Sequence, residues 1–162
     1  MPLHFPIISF SCWLSIALSL AVSVAAQAAD TENYSNARYG FGISYPAGLF
    51  LPQGESDNGD GQIFRSPDGQ AELRVFAMYN VLDETLADKF KEALAEPGLQ
   101  ATYKVTHKTW FVVSGKQQGR IVYQKTILAK GTFFTLLLTY AASAQATYDP
   151  VVGDLVRKFV IF

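Results

Sequence analysis

Three strand-like segments follow one another between Trp110 and Tyr140, and the linkers between them are very short. The segments are WFVVSG, GRIVYQKTIL and TFFTLLLTY, and the linkers are residues 116–118 and 129–131. A connection between parallel strands needs about a dozen residues or more. The three segments are therefore predicted to pair as an antiparallel meander.

Both faces of this meander carry bulky apolar side chains. In the middle segment Ile121 and Tyr123 alternate with Val122, and in the last segment Phe134 alternates with Phe133. A sheet with one face in water shows cleaner alternation of apolar and polar residues. The pattern therefore predicts central strands with another layer on each face.

One covering layer is predicted to be an amphipathic helix after residue 82. Its apolar stripe recurs every four residues and consists of Leu82, Leu86, Phe90 and Leu94. Either Asp83 or Thr85 is suited to cap it, Asp88 completes a capping box with Thr85, and Pro97-Gly98 ends it.

The second covering layer is predicted to be a closing helix. Asp149-Pro150 supplies a cap followed by proline at the first helical position, and the apolar stripe consists of Val151, Val152, Leu155, Val156 and Phe159. The sequence leaves open whether residues 143–148 form an earlier turn of this helix. Residues 160–162 are apolar and are expected to dock on the core.

The remaining segments predict further strands. Arg38–Tyr45, Ala71–Tyr79 and Thr102–Lys108 alternate like strands, whereas Asp30–Ala37 is polar and indicates a loose leader. Ser66-Pro67-Asp68-Gly69 has the residues of a tight turn between two strands. The fold class predicted is α+β, a three-layer α/β/α sandwich with a central, mainly antiparallel sheet of about six or seven strands and a helix on each face.

The first residues predict export. Residues 5–26 lack charged side chains, and Ala26-Gln27-Ala28 resembles a signal-peptidase site, so 1–28 is interpreted as a secretory signal peptide and 29–162 as a single domain. An uncleaved membrane anchor is the alternative. Cys12 precedes the predicted cleavage site, so the mature chain has no thiol. We expect a periplasmic or otherwise extracytoplasmic protein, soluble and without stable membrane insertion after signal removal.

The polar loop of residues 53–62 is the one candidate contact site. It carries Glu55, Asp57, Asn58 and Asp60, but the oxygen ligands do not follow the spacing of an EF-hand, so no metal site is predicted. Exposed loop positions change without loss of fold. We therefore expect a partner-contact loop here.

No catalytic or cofactor-binding residue is predicted. His107 is the only histidine after the signal, and the chain lacks a Gly-rich phosphate loop and a G-x-S-x-G motif. The formal net charge is −1, with both signs of charge interspersed, which argues against a nucleic-acid partner. We expect a protein without enzymatic activity and without a cofactor.

Three motifs in this order resemble the PsbP-like fold, which is also found in a nuclear transport factor that binds the GTPase Ran. They are Tyr39–Pro46 (YGFGISYP), Phe64–Gly69 (FRSPDG) and the closing Tyr148–Phe159. The chain is also similar to small bacterial exported proteins of this kind. The resemblance implies an antiparallel sheet covered by helices and a function exerted through protein contacts.

These observations support one leading function and one alternative. The leading hypothesis is an exported, non-enzymatic protein-interaction module of the bacterial cell envelope, with a protein partner. The alternative is a periplasmic protein that binds a small ligand or lipid. A hydrolase would rest only on scattered carboxylates such as Glu72, Asp83 and Asp154, which share no interpretable spacing.

Overall fold

A seven-stranded antiparallel sheet forms the centre of the computed structural model, which describes residues 30–162. Its strands are β3 (Leu51–Glu55), β4 (Gly61–Arg65), β5 (Ala71–Tyr79), β6 (Gln100–Thr106), β7 (Trp110–Gln117), β8 (Arg120–Ala129) and β9 (Thr132–Ala141). The order across the sheet is β3-β4-β5-β9-β8-β7-β6, and every pair is antiparallel. The meander predicted from its short linkers is confirmed. The predicted signal peptide and Cys12 lie outside the described residues.

A second, three-stranded sheet was not predicted. It consists of β1 (Thr31–Asn36), β2 (Phe41–Pro46) and β10 (Phe159–Ile161), with β2 in the middle. The prediction of a loose leader at residues 30–37 is wrong, because β1 pairs with β2 along its whole length. Its side chains are mostly exposed, so backbone hydrogen bonding rather than apolar alternation defines it. The docking predicted for residues 160–162 is confirmed for Ile161, which pairs with β2 and packs against the core, but Val160 and Phe162 are 46% and 61% exposed.

The first helix, α1 (Leu86–Leu94), is capped by Thr85, one of the two predicted caps. Thr85 accepts a hydrogen bond from the backbone of Asp88, and the Asp88 side chain accepts one from the backbone of Thr85. Leu82 was assigned to the helix stripe, and this is wrong: it precedes the helix and is 77% exposed. Asp83 has a φ of 52°, which turns the chain before the helix begins.

The second helix, α2 (Gln145–Lys158), begins before the predicted cap. A short 3-10 helix, Ala142–Ala144, precedes it, and Pro150 lies inside it. The prediction of Asp149 as the cap is therefore wrong. The Asp149 carboxylate instead accepts hydrogen bonds from Tyr140 and from Gln145. Pro150 is the sixth residue of α2, beyond the first turn in which proline is tolerated best, so α2 lacks one helical hydrogen bond there.

The two covering layers lie on opposite faces of the main sheet and over opposite ends of it. On one face α1 packs against β7, where Phe111 and Val113 meet Ala93. On the other face α2 and the small sheet cover β4, β5 and β9, and this larger core includes Phe41, Phe134 and Leu155. No apolar residue of that larger core belongs to β6 or β7. The three-layer sandwich is confirmed, but each layer leaves part of its face uncovered.

Candidate functional site

The predicted partner-contact loop forms the hairpin turn between β3 and β4. Residues 53–55 of the predicted loop belong to β3 and residues 61–62 to β4, so the turn is shorter than predicted, and it is closed by its own polar side chains. The Asp60 carboxylate accepts hydrogen bonds from Ser56 Oγ at 2.5 Å and from Asn58 Nδ2 at 2.9 Å. Asn58 and Asp60 therefore have a structural role in this turn.

The same turn is tied to the strand that the sequence did not predict. Tyr34 of β1 donates to Glu55 Oε1 at 2.9 Å, Asn36 donates to the Gly59 carbonyl at 3.0 Å, and Arg38 donates to the Asn58 carbonyl. Within residues 30–162, the Asp57 carboxylate makes no hydrogen bond. The structure thus brings the four predicted residues together, and their role in partner binding stays a prediction.

Two observations describe the residues of 30–162 that could bind a metal or act as a base. That part of the chain has no group of three or more His, Cys, Asp or Glu residues that could hold a metal ion. His107 stacks on the Trp110 ring, with ring centres 5.3 Å apart and planes 13° apart. It thus lies against an aromatic ring rather than beside a nucleophile.

The largest pKa shifts belong to tyrosines and run in the direction opposite to activation. Burial raises the pKa of Tyr34 to about 12, helped by Glu55, and burial raises the pKa of Tyr45 to about 12, helped by Glu32. Burial and Asp149 likewise raise the pKa of Tyr140. A general base or nucleophile needs a pKa near the working pH. These phenols stay protonated and act as hydrogen-bond donors that join separate elements.

A cleft beside α1 is the first candidate for a small-ligand site. Its volume is about 220 Å³, and its floor carries Thr126 and Thr135, whose hydroxyls lie 3.0 Å apart. Lys89 lies at its edge in ion pairs with Glu84 and Glu92. Pockets for drug-sized ligands have volumes of about 300–1,000 Å³. The cleft is smaller than that.

Three other depressions are larger but offer no better site. One of about 260 Å³ lies beside Glu72 and Arg120, one of about 360 Å³ lies between the β3–β4 hairpin and β5, and one of about 540 Å³ lies between α1 and His107. Among the described residues, no buried side-chain nitrogen or oxygen lacks a hydrogen-bond partner. These depressions therefore contain no buried polar side-chain atom that a ligand would be needed to satisfy.

The most unusual exposed feature is the loop between β5 and α1. Val81 and Leu82 are adjacent and are 80% and 77% exposed. Asn80 holds the loop closed, since its Nδ2 donates to the Glu84 carbonyl at 2.8 Å and its Oδ1 accepts from the Glu84 amide at 2.9 Å. The backbone amide of Asn80 also donates to Gly131 at 2.9 Å. Two apolar side chains are thus presented to solvent by a backbone that is hydrogen-bonded on both sides.

Neighbouring side chains extend this feature into an apolar surface. We call it the apolar end and define it by Met78, Tyr79, Val81, Leu82 and Phe162, which are 45–80% exposed. The Tyr79 ring packs against Tyr39 at 4.6 Å, and Lys130, next to Gly131, donates to the Phe162 carbonyl at 2.7 Å. These residues lie around one end of the main sheet, and exposed apolar side chains grouped in this way mark interaction sites on monomeric proteins.

Sequence reasoning missed the apolar end because Leu82 fits the helical spacing of Leu86 and Phe90. A usable signal was nevertheless present. Thr85 and Asp88 form the capping box, so the helix begins after Thr85 and residues 81 and 82 must lie outside it. The exposure of Val81 and Leu82 in the folded protein could not be predicted from the sequence.

Comparison with known proteins finds similarity in structure but not in sequence. No protein-family model and no curated protein matches the chain. The solution structure of cyanobacterial PsbP (CyanoP) from Synechocystis sp. PCC 6803 is similar with a TM-score of 0.60 and 15% identity, covering 90% of this chain and 99% of that one.

Two further solved structures are similar at comparable identity. A protein of unknown function from Pseudomonas aeruginosa, PA94, described as a putative regulator, has a TM-score of 0.50 and 12% identity, covering 82% of this chain and 97% of that one. LpqN of Mycobacterium tuberculosis, involved in cell envelope biogenesis, has a TM-score of 0.47 and 17% identity, covering 82% and 90%.

At such low identity the similarity concerns the fold, and the resemblance noted in the three sequence motifs is confirmed at that level. The CyanoP structure matches across nearly its whole length. The antiparallel main sheet, with α1 on one face and α2 on the other, agrees with that assignment. This chain has the PsbP-like fold.

Proposed function

We propose that the protein is an exported, non-enzymatic interaction module that binds another protein through the apolar end. The observation that carries the proposal is the exposure of Val81 and Leu82 on a loop closed by Asn80. Full burial of one such side chain contributes about 1.5–3 kcal/mol. A partner that covers both gains much of that free energy without first having to order the loop.

A polar rim around the apolar end favours a protein over a bilayer as the partner. Asp83 and Glu84 follow Leu82 directly, and Lys130 donates to the Phe162 carbonyl, so both signs of charge are present. A basic cluster that recognises anionic lipid commonly has about four to eight Lys or Arg residues. An apolar centre with a polar rim is, by contrast, the usual arrangement of a protein–protein interface. Between residues 30 and 162, neither helix has the length and hydropathy that crossing a membrane requires.

Export is the second part of the proposal. It rests on the charge-free residues 5–26, on the small residues around Gln27, and on a sequence that has no cysteine after Cys12. A chain without thiols is unaffected by an oxidising compartment. We place the protein in the cell envelope, on the outer side of the cytoplasmic membrane.

Site-directed photo-crosslinking in the producing cells tests the proposal. A benzophenone amino acid replaces Asp83, beside the apolar end, and in a matched control it replaces Lys91, whose side chain is 77% exposed on α1. We expect one protein to be captured from position 83 and not from position 91. The double variant Val81→Ser/Leu82→Ser should abolish the capture while the protein stays folded, since both residues are exposed.

The captured protein, once purified, should bind the wild type at least about tenfold more tightly than the double variant, as expected when two apolar anchors are lost. Equal capture by the double variant would show that the apolar end is not the contact. Recovery of lipid adducts alone, or flotation of the protein with vesicles, would show that the partner is a membrane.

A further inference from the structure

The half of the main sheet that the larger core leaves uncovered has its own chemistry. On β6, β7 and β8, the side chains that point away from α1 include Tyr103, Trp110, Tyr123 and Lys125, with the exposed Lys116 beside them. Tyr123 lies at the margin of this surface, since it is partly buried and packs against the larger core. We call this surface the basic aromatic face. The strand register places these side chains on one face of the sheet, because directly paired residues of antiparallel strands point to the same side.

The charges of the protein are separated between its two halves. Of the 13 Lys and Arg residues, six lie between 97 and 148, whereas all 14 Asp and Glu residues lie outside that segment. The segment contains β6 to β9, so every charged side chain on these four strands is basic. Positive and negative side chains are therefore not interspersed within residues 97–148, contrary to what was expected for the chain as a whole. An acid-free surface of this kind favours an anionic partner.

Lys125 is the cation at the centre of the basic aromatic face. Its Nζ lies 5.4 Å from the centre of the Trp110 ring, and burial lowers the pKa of this ammonium group. Among residues 30–162 its ammonium group has no ion-pair partner, and the ion pairs of the described chain involve residues outside the acid-free segment, such as Lys89 and Arg157. A partly desolvated cation without a counter-charge gains most from an incoming carboxylate.

The aromatic side chains are arranged to hold an extended chain. Tyr103 and Tyr123 both pair with Ser114, one from each side. Neighbouring strands lie about 4.8 Å apart, so the two phenol rings stand roughly 10 Å apart with the small Ser114 between them. Tyr103 is 55% exposed, and stacking on His107 restricts the Trp110 ring. Rigid Tyr and Trp side chains are the usual anchors of protein interfaces.

From this geometry we infer that the basic aromatic face binds an acidic, extended segment of a partner protein. One carboxylate pairs with Lys125, a second reaches Lys116, and the chain between them lies over Ser114, flanked by Tyr103 and Tyr123. This surface is separate from the apolar end, and the inference does not depend on the function proposed for that end.

The number of cations distinguishes this partner from other polyanions. The basic aromatic face has two ammonium groups, with Lys108 in the neighbouring turn. Nucleic-acid binding commonly uses on the order of six to ten phosphate contacts. Recognition of anionic lipid by a basic cluster commonly uses about four to eight Lys or Arg residues. Two or three cations with three aromatic rings fit a short acidic peptide better.

NMR titration of the protein tests the inference. The probe is a peptide in which Glu alternates with Thr, so that all carboxylates lie on one side of the extended chain, and the matched control has Gln in place of Glu. We expect the Glu peptide to shift the indole N–H signal of Trp110 and the signals of Lys125. We expect the Gln peptide to bind at least roughly fivefold more weakly than the Glu peptide, because a partly desolvated charge pair is lost.

Two lysine variants separate the basic aromatic face from charge in general. Lys125→Met should weaken binding of the Glu peptide by roughly fivefold or more, whereas Lys104→Met should leave it unchanged, because Lys104 points to the opposite face of β6. Equal losses in both variants, equal binding of both peptides, or shifts confined to other surfaces would overturn the inference. So would tighter binding of single-stranded DNA or of phosphatidylglycerol vesicles than of the Glu peptide.

Discussion

The side-chain amide of Asn80 forms two hydrogen bonds to the backbone of Glu84, one as donor at 2.8 Å and one as acceptor at 2.9 Å. This clasp closes the loop that presents Val81 and Leu82. These hydrogen bonds hold two apolar side chains in solvent. The loop is therefore ordered before a partner binds.

Replacing Asn80 tests the clasp. Asn80→Ala should lower the free energy of unfolding by about 1–3 kcal/mol, the sum of two ordinary hydrogen bonds, and should speed hydrogen exchange at residues 81–84. Asn80→Asp keeps the acceptor but places a carboxylate oxygen against the Glu84 carbonyl, so its loss should be at least as large. Unchanged exchange in Asn80→Ala would show that the loop is ordered by something other than the clasp.

Close backbone approaches make two glycines irreplaceable. A Cβ at Gly61 would lie 2.1 Å from the Val75 carbonyl oxygen, and one at Gly115 would lie 2.2 Å from that of Gln100. Gly61→Ala and Gly115→Ala should each cost at least about 2 kcal/mol, as overpacking does when backbone must move. Gly48→Ala is the matched control, because a Cβ there meets nothing within 4 Å. Denaturation midpoints shared by all three variants would contradict the register of β4 and β6.

The two apolar cores should respond differently to loss of a phenyl ring. Phe159 is 6% exposed and packs edge-on against Phe41 at 5.9 Å in the larger core, so Phe159→Ala should cost about 3–5 kcal/mol. Phe90 is only partly buried, against Phe111 at 5.4 Å in the smaller core, so Phe90→Ala should cost less, about 2 kcal/mol. Urea denaturation compares the two directly, and a larger cost for Phe90→Ala would contradict the assignment of the cores.

The β3–β4 turn should contain both sensitive and tolerant positions. Asp60→Ala removes the carboxylate that accepts from Ser56 and Asn58 and should cost about 1–2 kcal/mol. Asp57→Ala should stay within about 0.5 kcal/mol, as exposed positions do. If both variants unfold at the wild-type midpoint, the hydrogen bonds inside the turn contribute nothing measurable.

Alkaline pH should weaken the joint between β1 and β3. Burial and Glu55 raise the pKa of Tyr34 to about 12, so the folded state keeps the phenol proton that the unfolded chain releases near its ordinary value of 10. This stabilisation is complete below about pH 10 and is lost as the pH rises towards 12. Glu55→Gln should lower the pKa of Tyr34 in a tyrosinate absorbance titration. Glu96→Gln, an exposed change on the other side of the sheet, should not.

The strands of the main sheet were predictable because their residues carry local signals. Alternation and short linkers between Trp110 and Tyr140 allow only an antiparallel meander. The start of α1 was predictable for a similar reason, since Thr85 and Asp88 supply both halves of a capping box from side chains three residues apart. Each of these features depends on neighbours in the chain.

Elements without such signals were missed. β1 is held by backbone hydrogen bonds to β2 while its polar side chains face water, so its sequence resembles a loop. The true start of α2 was missed because Asp149-Pro150 has the composition of a cap, and the hydrogen bond from Tyr140 to Asp149 joins residues whose proximity is decided by the packing of α2 on β9.

The sequence by itself determined the strands of the meander, their pairing order and the presence of both helices, because side-chain period and turn chemistry act over a few residues. Tertiary structure decided which parts of each sheet face stay uncovered. That outcome depends on where α1 and α2 lie across seven strands, and it leaves Lys125 without an ion-pair partner among residues 30–162. The exposure of Val81 and Leu82 also needs the tertiary structure, because hydrogen bonds from Asn80 to Glu84 and to Gly131 hold their loop in place, and no short stretch of the chain contains that arrangement.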